Sequence, residues 1–168
     1  ELILKELCRY PLGTFAEIIY RNALLHSREE AFVCGLDRIT FAEFNAQVNS
    51  LIHALASFGA RKGDVIGILS WNCLEYVFFY GAAMKGGFIA SPFNPRLHSE
   101  ELEYLINYSE ATTLFVGLEL VTKAHNLRSR LPNVKHYISF GPSPPDKLSY
   151  EELIARHPTN EPDITVTK

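Results

Sequence analysis

A chain of 168 residues fits one ordinary domain, and at that size it can bury roughly 70% of its unfolded surface without a disulfide or a metal. Its 47% hydrophobic and 21% charged residues exclude a disordered or fibrous class. Sixteen Lys plus Arg against 19 Asp plus Glu give a net charge of -3, and the basic residues are scattered, so the basic stripe of a nucleic-acid binder is missing.

Three cysteines, Cys8, Cys34 and Cys73, are too far apart for a zinc knuckle or a secreted disulfide framework and are expected to pack as small apolar side chains. ELILKELCRYPLG lacks the basic n-region and long apolar run of a signal peptide. The longest apolar stretch, Tyr76 to Phe93, is broken by Lys85, Gly86 and Gly87 and falls short of a membrane span. A cytoplasmic domain with no membrane span and no nucleic-acid partner is the expectation.

In chain order, Thr14 with Glu17 has the spacing of a capping box, in which each side chain serves the other residue's backbone N–H. It opens a helix with Phe15, Ile18 and Ile19 on one face. AFVCG and RIT, joined around Gly35 to Asp37, predict a hairpin from about Ala31 to Thr40. Thr40 with Glu43 caps the next helix, whose Phe44, Val48, Leu51, Ile52 and Leu55 recur at helical spacing. VIGIL (Val65 to Leu69) is a strand, and Asn72 with Glu75 starts a helix leading to the strand FIAS (Phe88 to Ser91). His98, read as a cap, and Glu101 precede a helix bearing Leu102, Leu105 and Ile106. TLFV (Thr113 to Val116) and HYISF (His136 to Phe140) follow as strands with a helical pattern between them.

Continuously apolar strands alternating with helices predict an α/β fold: a parallel sheet of βαβ units with helices on both faces, preceded by a helix and a small β-hairpin. GPSPPDKLS is a proline-rich turn, and Ser149 with Glu152 opens a short last helix. Residues 1–158 are assigned to the domain and residues 159–168 to a linker or tail, because HPTNEPDITVTK has no periodicity and little to bury.

Catalytic and cofactor signatures are scarce. SWNCLE after VIGIL contains no glycine, which argues against a dinucleotide fingerprint. Gly81 and Gly86 are spaced like the ends of a phosphate loop, but no Lys-Ser pair follows and no helix N-terminus is available. The six histidines form no paired ligand spacing, and His53 falls on the polar side of its helix. Ser70 and Ser91 lie at strand ends without the flanking glycines of a nucleophile elbow. Glu100, Glu101 and Glu103 sit in a first helical turn, where the macrodipole accounts for them.

The segment from Gly63 to Val116 closely resembles the N-terminal part of the adenylate-forming superfamily, above all the long-chain fatty acyl-CoA synthetases. Gly63, Asp64, Val65, Asn72, Glu75, Gly87, Pro92, Asn94, Pro95, Arg96, Glu101 and Leu102 carry the match, which extends over about Thr14 to Phe140. The resemblance implies a parent that joins a fatty acid to coenzyme A through an acyl adenylate, using ATP and Mg. The phosphate loop, the adenine and ribose contacts and the catalytic lysine of such enzymes come later than the segments matched here. No catalytic, cofactor-binding or metal residue is therefore carried over, and the chain by itself is expected to be an inactive front subdomain. Its expected partners are the remaining subdomains, with a homodimer as another way of covering exposed apolar surface. A free-standing binding or assembly module acting with a separate chain is the alternative.

SPFNPR leaves one question open. Pro92 and Pro95 hold Ser91 and Asn94 extended and are expected to end the strand. Ligands of open α/β sheets also gather beyond the carboxyl ends of strands, where Trp71, Asn94 and Arg96 fall. These three are the candidate contacts to an anionic ligand or to the rest of the parent.

Overall fold

The computed structural model describes residues 13–141 and 148–163. Helix α1 (Phe15–Leu25) precedes the antiparallel hairpin β1 (Glu30–Cys34) and β2 (Asp37–Thr40), which turns through Gly35 in the left-handed region at φ 61°. Helix α2 (Phe41–Ser57) leads to β3 (Val65–Leu69), α3 (Leu74–Gly86), β4 (Ile89–Phe93) and α4 (Ser99–Ser109). β5 (Thr113–Val116), α5 (Val121–Leu127), β6 (His136–Ser139), β7 (Leu148–Ser149) and α6 (Tyr150–Ala155) complete the order.

The second sheet is parallel throughout, in the order β4-β3-β5-β6-β7. The chain starts it in β3, adds β4 on one side, then crosses over to lay down β5, β6 and β7 on the other. Both faces are apolar and alternate by residue, as a covered parallel sheet requires. Ile66, Ile68, Phe115 and Ile138 face a core shared with α1, α2, α3 and α6. Leu69, Leu114, Val116 and Tyr137 face a second core under α4 and α5. The expected α/β architecture, with its leading helix and hairpin, is the one found. No helix among the described residues is long and apolar enough to cross a membrane.

Several local expectations need correction. α3 begins at Leu74, so Cys73 occupies its cap position and Glu75 falls one residue too early to reciprocate; Asn72 makes no cap. β4 runs on through Pro92 to Phe93, because it is an edge strand, the place in a sheet where a proline is tolerated. Cys34 is exposed beside the hairpin turn and Cys73 only half-buried, whereas Cys8 lies outside the described residues. β7 was not anticipated; most of the proline-rich turn before it is also outside the described residues.

The segment beyond α6, expected to have little to bury, lies along α2 as far as Glu161. Ser50 donates to the carbonyls of His157 and Pro158 at 3.3 and 3.2 Å, and Asn49 donates to that of Thr159 at 2.9 Å. His53, expected to be solvated, meets the Asn160 carbonyl at 3.0 Å. Asn45 and Asn49 both donate to the Glu161 carboxylate. Lys85 of α3 reaches it at 2.6 Å, and the Lys85 side chain is only 6% exposed.

Candidate functional site

The loops after β3 and β4 open a groove of about 580 Å³ at the carboxyl end of the sheet. Ser70, Trp71, Asn72 and Tyr76 form one wall and Pro92 to Arg96 the other. The neighbouring crevice between β3 and β5 is closed: a Cβ on Gly117 would stand 2.6 Å from the Ser70 hydroxyl, so only glycine lets the two loops touch. The groove is therefore displaced towards the β4 edge.

Trp71, Asn94 and Arg96 meet there. The Asn94 side-chain oxygen accepts from the Arg96 N–H at 3.0 Å, and its carbonyl accepts from Leu97 N–H at 3.2 Å, so one residue closes the turn twice. The turn presents the Arg96 guanidinium over the Trp71 ring, 5.5 Å from its centroid, a cation–π arrangement. Behind the turn, Lys123 of α5 donates to the carbonyls of Pro95 and Leu97, at 3.0 Å for the former.

Among the described residues the lining carries one charged residue, Arg96. Burial pushes the nearby Cys73 thiol up to about 11, and its hydrogen bond with Glu75 acts in the same direction, so it stays protonated and is a poor nucleophile. Tyr76 is likewise raised, first by burial and then by Tyr80, and stays neutral. An exposed cation stacked on an exposed aromatic ring, with neutral groups around it, has the chemistry to meet an anion or a flat ring and offers no evident proton-transfer pair among the described residues. Among the described residues no group of three or more His, Cys, Asp or Glu is arranged to hold a metal.

A second groove, about 510 Å³, is almost wholly apolar and runs between α1, α2 and α3, lined by Phe15, Ile18, Phe44, Tyr76, Tyr80 and Met84 among others. It lies beside the first, with Tyr76 in the wall of both. Gly81 forms part of its floor; a Cβ there would stand 2.4 Å from Val48 and 2.8 Å from Phe44. That glycine thus serves close helix packing between α2 and α3, away from any phosphate-binding turn.

Sequence reasoning missed two features here. Lys85 was visible only as a charge interrupting an apolar run, which is the signal that a distant partner must exist. Lys123 carried no signal, since its two acceptors are backbone carbonyls of a loop more than 20 residues away.

Comparison with known proteins places these features in context. The family model described as AMP-binding enzyme matches residues 19–166. A 3-methylmercaptopropionyl-CoA ligase from Ruegeria lacuscaerulensis is 31% identical over 150 residues, covering 83% of this chain and 28% of the relative. A long-chain-fatty-acid–CoA ligase from Thermus thermophilus is 27% identical over 143 residues, covering 82% and 26%. The crystal structure of the anthranilate CoA ligase AuaEII in complex with anthranoyl-AMP superposes with a TM-score of 0.84 at 27% identity, over 92% of this chain and 30% of that one. The chain thus spans less than a third of the length of each of these proteins.

Proposed function

This chain belongs to the AMP-binding enzyme family, and from that premise we propose that it is the front subdomain of an AMP-forming acyl-CoA ligase acting on a fatty acid in the cytoplasm. In the proposed parent, a carboxylate attacks the α-phosphate of ATP to give an acyl adenylate and pyrophosphate. The thiol of coenzyme A then takes the acyl group and AMP leaves. ATP, Mg and coenzyme A are the co-substrates of that reaction, and the groups that activate them are assigned to the remaining subdomains. The share of this chain is the scaffold, together with Trp71, Asn94 and Arg96 as contacts to an anionic ligand or to the neighbouring subdomain.

The observation that supports this reading is the match over residues 19–166, combined with relatives of which the chain spans under a third. Acid-dependent exchange between ATP and labelled pyrophosphate tests it. The 168-residue chain alone is expected to give no exchange above the blank, with a fatty acid or any other acid; measurable exchange would overturn the subdomain reading. An antibody against this chain should detect, in the source cells, a product several times larger than 19.0 kDa. A band at that mass points instead to a free-standing module.

A further inference from the structure

The turn that presents Arg96 is held from inside and from outside. Asn94 satisfies the N–H groups of Arg96 and Leu97 from inside the turn. The carbonyls of Pro95 and Leu97, one on each side of Arg96, are gathered instead by a single side chain, Lys123 of α5. α5 follows β5, two strands away from β4 in the sheet, so this is a bridge across the carboxyl end of the sheet and not a local contact. An ammonium with three donors suits two diverging carbonyls, and the bonds are charge-assisted. Among the described residues no carboxylate pairs with the Lys123 ammonium, and Lys123 is not among the residues that line the groove.

We propose that Lys123 is a positioning residue: by clamping the carbonyls of Pro95 and Leu97 it fixes the turn that stacks Arg96 on Trp71 and so sets the place of that cation in the groove. Without the clamp, Arg96 remains in the chain but leaves the ring. The inference rests on reading the groove as the ligand-facing site of the proposed ligase. Its test needs no ligase chemistry, so a failed exchange assay and a failed clamp are separate results.

Trp71 is the single tryptophan of the sequence, which makes its fluorescence a local reporter. The probes are iodide, an anionic quencher, and acrylamide, a neutral one, applied to the 168-residue chain. One cation at 5.5 Å from the ring raises the local anion concentration roughly twofold in water after screening. The ratio of iodide to acrylamide quenching should therefore fall about twofold in Arg96→Ala, and by a similar factor in Lys123→Met. Lys123→Arg, which can still donate to both carbonyls, should keep the wild-type ratio.

The Arg96→Ala background separates positioning from a bare charge effect. If Lys123 acts through Arg96, adding Lys123→Met there changes nothing; a further fall of similar size would mean that Lys123 acts by its own charge and would overturn the inference. A wild-type ratio in folded Lys123→Met would overturn it as well. Should Lys123→Met lose its far-UV circular dichroism, Lys123→Gln, which keeps one donor, replaces it. A wild-type ratio in that variant counts equally against the clamp, and a lowered ratio that disappears in the Arg96→Ala background supports it.

Discussion

Lys85 and Glu161 form a pair in which the two partners are unequally placed. The Lys85 side chain is 6% exposed and that of Glu161 40%. Burial drives the Lys85 ammonium below its ordinary value, and Glu161 restores only part of the loss. Burial also pushes the Glu161 carboxyl up, but hydrogen bonds from Asn45, Lys85 and Asn49, with the charge of Lys85, more than offset this and hold it below the usual range. Both partners are desolvated, but only on the lysine is that cost left partly uncompensated. Removing its partner leaves a buried cation whose remaining acceptor among the described residues is the Asn45 side-chain oxygen, 2.6 Å away. Glu161→Ala should cost about 1–3 kcal/mol in urea unfolding. Lys85→Met should cost less, because the carboxylate keeps two amide donors and reaches water. A larger loss in Lys85→Met would contradict this assignment of the cost. With its folded value below the unfolded 4.5, Glu161 contributes stability that is present above that pH and is lost as pH falls through the folded value. The acid-side fall in melting temperature should thus be shallower in Glu161→Ala. Lys85 acts with the opposite sign: its burial subtracts stability while it is charged, and that cost lapses only towards alkaline pH.

Among the elements, the helix starts divide into those fixed by local chemistry and those fixed by packing. Thr14 with Glu17 and Thr40 with Glu43 form the reciprocal boxes that their spacing predicts; the Glu43 carboxylate accepts from the Thr40 N–H at 2.9 Å. At His98 the Glu101 carboxylate takes the backbone N–H at 2.8 Å. At Ser149 the hydroxyl accepts from the Glu152 N–H at 3.5 Å while turning its own proton to Glu151, so the reciprocal half is absent. Asn72 has the right spacing and fails. α3 carries buried Phe78, Phe79, Ala82 and Ala83, and the docking of that surface, not a cap, fixes where the helix starts. Thr40→Ala is accordingly expected to cost about 1 kcal/mol, or about 2–4 °C in melting temperature. Asn72→Ala should leave the melting temperature unchanged by calorimetry, and a loss equal to that of Thr40→Ala would show that Asn72 supports α3 after all. β4 makes the same point. Pro92 reads as a strand stop from its own chemistry, yet its place at the sheet edge removes the penalty.

For the whole molecule, the groove and the scaffold separate. Arg96 and Trp71 are exposed, so their loss leaves both cores intact. In the proposed full-length ligase, Arg96→Ala should raise KM for coenzyme A or for the acid several-fold, with the melting temperature within error of wild type. A lowered melting temperature with unchanged kinetics would reduce the turn to a structural bend. The sequence by itself determined the alternation of strands and helices, the two boxes that close reciprocally and the parallel, doubly covered sheet. Those follow from periodicity and from spacings within about four residues, where a side chain meets its own backbone whatever the rest of the chain does. Only the tertiary structure decided that the last segment lies against α2 as far as Glu161, that Lys85 is satisfied there and that Lys123 holds the turn of Arg96. Each joins groups 26 to more than 100 residues apart. A buried charge or an orphan carbonyl records its need for a partner in the sequence, but the partner is chosen by which loops the crossovers of the sheet bring to the same end.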